Sequence, residues 1–119
     1  MNADKVLEII KNCSCCIDED SSEVERFIIT PSHCLTVLKN ILLGLNKNVE
    51  FNMAFPSGRH TVCLIVDRKK GKTAYRFGVE IWEHKIDLCI FKLSVNDMVP
   101  IYNAECQDSW EVLETINDF

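Results

Sequence analysis

Cysteine and histidine are the residues of this 119-residue chain that could do the most chemistry, and their spacing limits how much of it is available. Cys13 and Cys16 have the C-x-x-C spacing with which two thiolates chelate one zinc ion, and His33 and Cys34 are the candidates for further ligands. Yet His33 and Cys34 are adjacent rather than a spaced pair, and Cys15 intrudes into the first pair, so no full zinc template is met. Cys34 also falls near the start of a helix, where the macrodipole favours a thiolate. His33 diverges from it by about 100° around that helix and is badly aimed to serve as its base. Cys63 and His60, three apart in an extended segment, point to opposite faces. The Cys13–Cys16 cluster follows a helix C-terminus and precedes Asp18, Glu19 and Asp20, surroundings that raise a thiol pKa and oppose redox chemistry. Phosphate loops of the G-x-x-x-x-G-K-[ST] or G-x-G-x-x-G kind and the H-E-x-x-H metalloprotease pattern are missing. These residues predict no catalytic constellation, no cofactor and no resident metal.

Charge is the stronger signal, because it is sorted into blocks. Between Arg59 and Arg76 there are six cations, Arg59, Arg68, Lys69, Lys70, Lys72 and Arg76, against the single acid Asp67. An acidic stretch, Asp18, Glu19, Asp20, Glu23 and Glu25, precedes them. After them Asp97, Glu105, Asp108, Glu111, Glu114 and Asp118 run to the end without a lysine or arginine. Sorted charge points to a protein that meets partners through electrostatic faces. The recurrence of Asp108, Glu111 and Glu114 at i, i+3 and i+6 predicts one negative stripe on a helix, opposite a Trp110, Leu113 and Ile116 side. Such a stripe, with Glu105 and Asp118, could imitate a phosphate track and occupy a basic groove.

The elements that must carry these groups follow from hydrophobic period. Val6, Leu7, Ile9 and Ile10 predict a short helix within Asp4–Asn12, ended by a loop from Cys13 to Ser22. Glu23–Ile29 fits either a helix or a strand, since Ser22 to Glu25 has capping-box form while Phe27-Ile-Ile-Thr is strand material. Thr30-Pro31 reads as an N-cap and first helical residue, followed by a stripe through Leu35, Leu38, Leu42 and Leu45. The period then drops to two, predicting antiparallel strands at roughly 49–55, 60–67, 73–82 and 86–93, with turns at Pro56–Gly58, Asp67–Lys72 and Glu83–His84. Asp108 caps a last short helix. The expected architecture is α+β: an antiparallel meander of about four strands with two N-terminal helices and a C-terminal helix packed on it, in one domain spanning 1–119.

Composition narrows the class. The chain is 47% hydrophobic and 26% charged, which excludes wholesale disorder, and no apolar run approaches the roughly 20 residues of a membrane helix. The first residues lack the uninterrupted apolar core of a signal peptide, so the expected location is cytoplasmic, with reduced cysteines, and no membrane partner is expected. A net charge of −5 argues against general affinity for nucleic acid. In profile alone, being short, acidic and free of catalytic motifs, the chain resembles small inhibitors encoded by viruses, phages and other mobile elements. The expected function is therefore non-enzymatic: a protein-binding module, of inhibitor or immunity type, acting on a nucleic-acid-processing protein through Glu105, Asp108, Glu111, Glu114 and Asp118. The alternative is binding of nucleic acid or a phosphate ligand through the Arg68–Lys72 hairpin, and the third reading is a cysteine- or zinc-dependent protein.

Overall fold

Among the described residues, helical period at both ends and strand period between them produce three helices and a five-stranded antiparallel sheet. The computed structural model describes residues 1–18, 26–58 and 60–119. Four of the acids noted above, Glu19, Asp20, Glu23 and Glu25, lie outside the described residues, as does the cation Arg59. Helix α1 (Ala3–Ser14) buries Val6, Ile9 and Cys13, and the Asn2 side chain accepts a hydrogen bond from the Lys5 amide at 2.9 Å, capping its first turn. Helix α2 (Ser32–Gly44) buries Cys34, Leu38, Ile41 and Leu42.

Strand β1 (Cys15–Asp18) pairs antiparallel with β2 (Arg26–Ile29), Cys15 opposite Ile29 and Asp18 opposite Arg26. The segment expected to be a loop after Cys13 thus contains a strand, and the ambiguous segment is extended at Arg26–Ile29. Pairing with each other supplies both short segments with backbone partners that a loop would leave to water.

The large sheet runs β3 (Val49–Gly58), β4 (Thr61–Lys70), β5 (Thr73–Trp82), β6 (Ile86–Ser94) and β7 (Asp97–Cys106), in spatial order β3-β4-β5-β6-β7. Five strands replace the four expected. β7 escapes a search for alternation because it is an edge strand carrying Pro100, and Ile101 is an extra residue between the pairs Ile90–Tyr102 and Phe91–Pro100. β3 likewise continues through Pro56, opposite Val62, instead of turning there. The β4–β5 turn is tighter than Asp67–Lys72, because pairing continues to Lys70 opposite Thr73 and Gly71 takes the left-handed φ of 66° that the turn needs.

One face of the sheet carries the core: Val62, Leu64 and Val66 of β4, Phe77, Val79 and Ile81 of β5, and Ile86, Leu88 and Ile90 of β6 are buried beneath the helices. Helix α3 (Ser109–Asp118) closes that layer with Val112 and Ile116. It packs tightly on the end of α2, where Leu113 fills the space that a Cβ on Gly44 would occupy. Thr30 does not cap α2 as expected. The helix begins at Ser32 with Pro31 in the cap position and no side-chain cap, while the buried Thr30 hydroxyl donates to the Cys13 carbonyl at 2.6 Å.

Candidate functional site

The acidic helix is built as a rigid, outward-facing element. Asp108 is its N-cap, Oδ1 accepting from the Glu111 amide at 3.0 Å, and Glu111 Oε2 reaches back to accept from the Gln107 amide at 2.9 Å. Two carboxylates thereby sit at the positive end of the helix dipole. The other end is held by the Asn117 side chain, whose Nδ2 donates to the Gly44 carbonyl and whose Oδ1 accepts from the Asn46 amide, both at 3.0 Å. Glu105, Asp108, Glu111, Glu114 and Asp118 are all exposed, and Glu114 and Asp118 have no side-chain partner among the described residues.

Trp110 departs from expectation. It is not on the packed side with Leu113 and Ile116 but 73% exposed. At about 100° per residue the buried direction set by Val112 and Ile116 puts position 110 on the far side, next to Glu114. Choosing an i, i+3, i+6 stripe instead of the i, i+4 pair Val112–Ile116 hid this indole. Trp110, Glu114, Asp118 and Asn117 border a shallow hollow of about 450 Å³ floored by Gly44 and Leu113.

The basic hairpin is largely occupied with the fold. Arg68 Nη1 donates to the Ile116 and Asn117 carbonyls at 2.8 and 2.7 Å, placing a guanidinium on the negative end of α3. Lys70 donates to the Phe119 main-chain oxygen at 2.8 Å and lies 5.4 Å from the centre of its ring. Arg76 Nε and Nη2 donate to the Asp67 carboxylate at 2.8 and 3.2 Å, and Asn52 donates to the same group at 2.9 Å. Although partial burial by itself pushes the Asp67 carboxyl up, the hydrogen bonds from Arg76 and Asn52 and the Arg76 charge hold it below its usual value. A depressed carboxyl stabilises the fold above its unfolded pKa of about 3.9 and loses that contribution as pH falls through the lower folded value. Lys69 and Lys72 are the exposed cations of the tip without a partner among the described residues.

The thiols point away from catalysis. Cys34 is fully buried and its Sγ donates to the His60 carbonyl at 3.7 Å, while His33 and His60 are exposed. Burial pushes the Cys34 thiol up and the Glu83 charge adds to the rise. Burial likewise raises Cys63, with Glu80 adding, and Cys106, with Glu111, Asp108 and Asp87 adding. The helix dipole is thus outweighed at Cys34 by desolvation. Cys13 is buried on the inner face of α1, the Cys16 side chain is outside the described residues, and among the described residues no three His, Cys, Asp or Glu side chains are grouped to hold a metal. Iodoacetamide at neutral pH should therefore alkylate Cys34 in the native protein at least about tenfold more slowly than in the urea-unfolded chain. Peptide mapping of the labelled protein checks this, and equal rates would restore Cys34 as an activated thiol.

The chain matches no protein-family model, no curated protein and no solved structure. Among the described residues no helix is long and apolar enough to cross a membrane.

Proposed function

We propose that this protein is a small non-enzymatic binding module that docks another protein through the outer side of α3, as an inhibitor or immunity-type protein would. The observation that carries the reading is Trp110, a large aromatic left 73% exposed beside Glu114 and Asp118 on a helix fixed at both ends. Exposed tryptophan is the residue type most enriched among interface anchors, and surrounding carboxylates steer a basic partner toward it. A basic groove of a nucleic-acid-processing protein has the complementary chemistry. The raised thiols support the non-enzymatic part of the reading.

Two variants separate anchoring from steering once a partner has been captured from the native host with the wild-type protein. Trp110→Ala should accelerate dissociation by roughly 10- to 100-fold, the scale of a hot-spot truncation. Glu114→Lys with Asp118→Lys should slow association about tenfold or more at low salt and little at high salt. Glu111 is left intact because it caps the helix. Capture unaffected by either variant would remove α3 from the interface. Recovery of RNA or DNA instead, lost when Lys69 and Lys72 become alanine, would transfer the function to the basic hairpin.

A further inference from the structure

The helices cover one face of the five-stranded sheet, and among the described residues no element packs on the other. Register places its side chains in rows that cross the strands. Near the β5–β6 turn, Glu80 lies opposite Asp87 and Asp87 opposite Glu105, three carboxylates in one row. Like charges directly opposite repel, and among the described residues only Lys85, 3.4 Å from Asp87, offsets them. Between the ends the face is mainly apolar, with Met53, Ile65, Cys89 and Phe91 exposed or half-buried around the Arg76–Asp67 ion pair and with Glu50 exposed at the β3 edge, while Leu93 and Met98 lie in the Lys69 row. Gly78, without a side chain, leaves a hollow of about 380 Å³ beside Phe91. The far end, at the β4–β5 turn, carries the two unoccupied cations, Lys69 and Lys72.

We propose that this face binds a second copy of the chain, the two sheets stacking with their strands antiparallel. Along β5 the free Lys72 lies toward one end and Glu80 toward the other, with Gly78 and the mutually neutralised Arg76–Asp67 pair between them, so the surface complements itself there when turned about a twofold axis that reverses strand direction. That is the pattern of an isologous interface. With the axis crossing the Arg76–Phe91 row, the two Phe91 side chains meet near it, and Lys72 of each copy comes over Glu80 of the other. The alternative twofold, along the strands, lays one carboxylate row on the other and is disfavoured by repulsion. Five strands about 4.8 Å apart and some 30 Å long offer about 700 Å² per copy, allowing for frayed corners. The total of about 1,400 Å² falls within the range of stable specific interfaces, roughly 1,200–2,000 Å².

Sedimentation velocity of the full chain over about two decades of concentration around 10 μM should show a monomer–dimer equilibrium. Gly78→Arg tests the apolar centre without threatening the fold. Its Cβ would meet nothing closer than Phe91 Cε2 at 3.8 Å, while the added side chain prevents close stacking. It should weaken the dimer at least about tenfold. Glu80→Lys and Lys72→Glu should each weaken it by about three- to tenfold, and together restore it to within about threefold of wild type. Thermal melts of each variant verify folding. A monomer throughout the range would overturn the proposal and leave the face to a different protein. So would a dimer indifferent to Gly78→Arg, or a charge-exchanged double variant no tighter than the singles.

Discussion

Replacing Arg68 by alanine is expected to lower the unfolding free energy by about 2–3 kcal/mol, an unusually large effect for a cation on a hairpin tip. Its guanidinium donates to two carbonyls, Ile116 and Asn117, in the last turn of α3. Carbonyls in a last helical turn have no partner inside the helix, and a cation there also meets the negative end of the dipole. A hydrogen bond to a charged group contributes roughly 1.5–3 kcal/mol net, and because both carbonyls are served by one Nη1 on a long side chain that must be ordered to reach them, the pair is expected to give about the value of one such bond. The variant loses these bonds and exposes the end of a helix that closes the core over Val112 and Ile116. Lys69→Ala and Lys72→Ala should change stability by less than about 0.5 kcal/mol, since neither has an internal partner among the described residues. Equilibrium urea unfolding, compared at constant m-value, makes the distinction. An Arg68→Ala variant as stable as its lysine neighbours would return the guanidinium to the set of groups free to meet a ligand.

Arg68 also illustrates where reading a sequence stops. Alternation through Val62, Leu64 and Val66 is visible in the residues and puts position 68 on the covered face. It says nothing of what lies there, because the end of α3 arrives from nearly fifty residues away. The same boundary separates the strands that alternation reveals from β7. Strands β4, β5 and β6 have one buried face each and advertise it with apolar residues at every second position. β7 is exposed along most of its length, so burial imposes no period on it, and its bulge and proline erase what remains. At the acidic helix the carboxylates and the Asp108 cap are legible because they are local. Trp110 lies on the opposite side from the one its spacing predicts because helical spacing admits two stripes, and the burial of Val112 with Ile116 chooses between them. The carboxylate row Glu80–Asp87–Glu105 is invisible in sequence, since 25 residues separate its members and only cross-strand register brings them together.

Phe77→Ala should cost about 3–5 kcal/mol, a third or more of the stability of an ordinary domain of this size. The ring is fully buried in the central strand, and its loss leaves a cavity between sheet and helices that neighbouring strands, paired on both sides, cannot collapse to fill. Phe119 depends on it. That ring stands edge-on to Phe77 at 5.5 Å and to Tyr75 at 4.8 Å between centroids, with Lys70 over its face. Phe119→Ala, at a half-buried position, should cost about 2 kcal/mol. The two effects should not add: a double-mutant cycle is expected to return a coupling of about 0.5–1.5 kcal/mol, the value of an edge-to-face aromatic pair. Coupling of that size would make the segment after α3 part of the same cooperative unit as the sheet, so the acidic helix is presented already ordered and a partner need not supply the entropy of ordering it. Zero coupling, with a small Phe119→Ala effect, would mean that the chain beyond α3 is not seated on the sheet. Arg68, the Asn117 bonds to Gly44 and Asn46, and the buried Ile116 would then hold the last turn of the acidic helix in place.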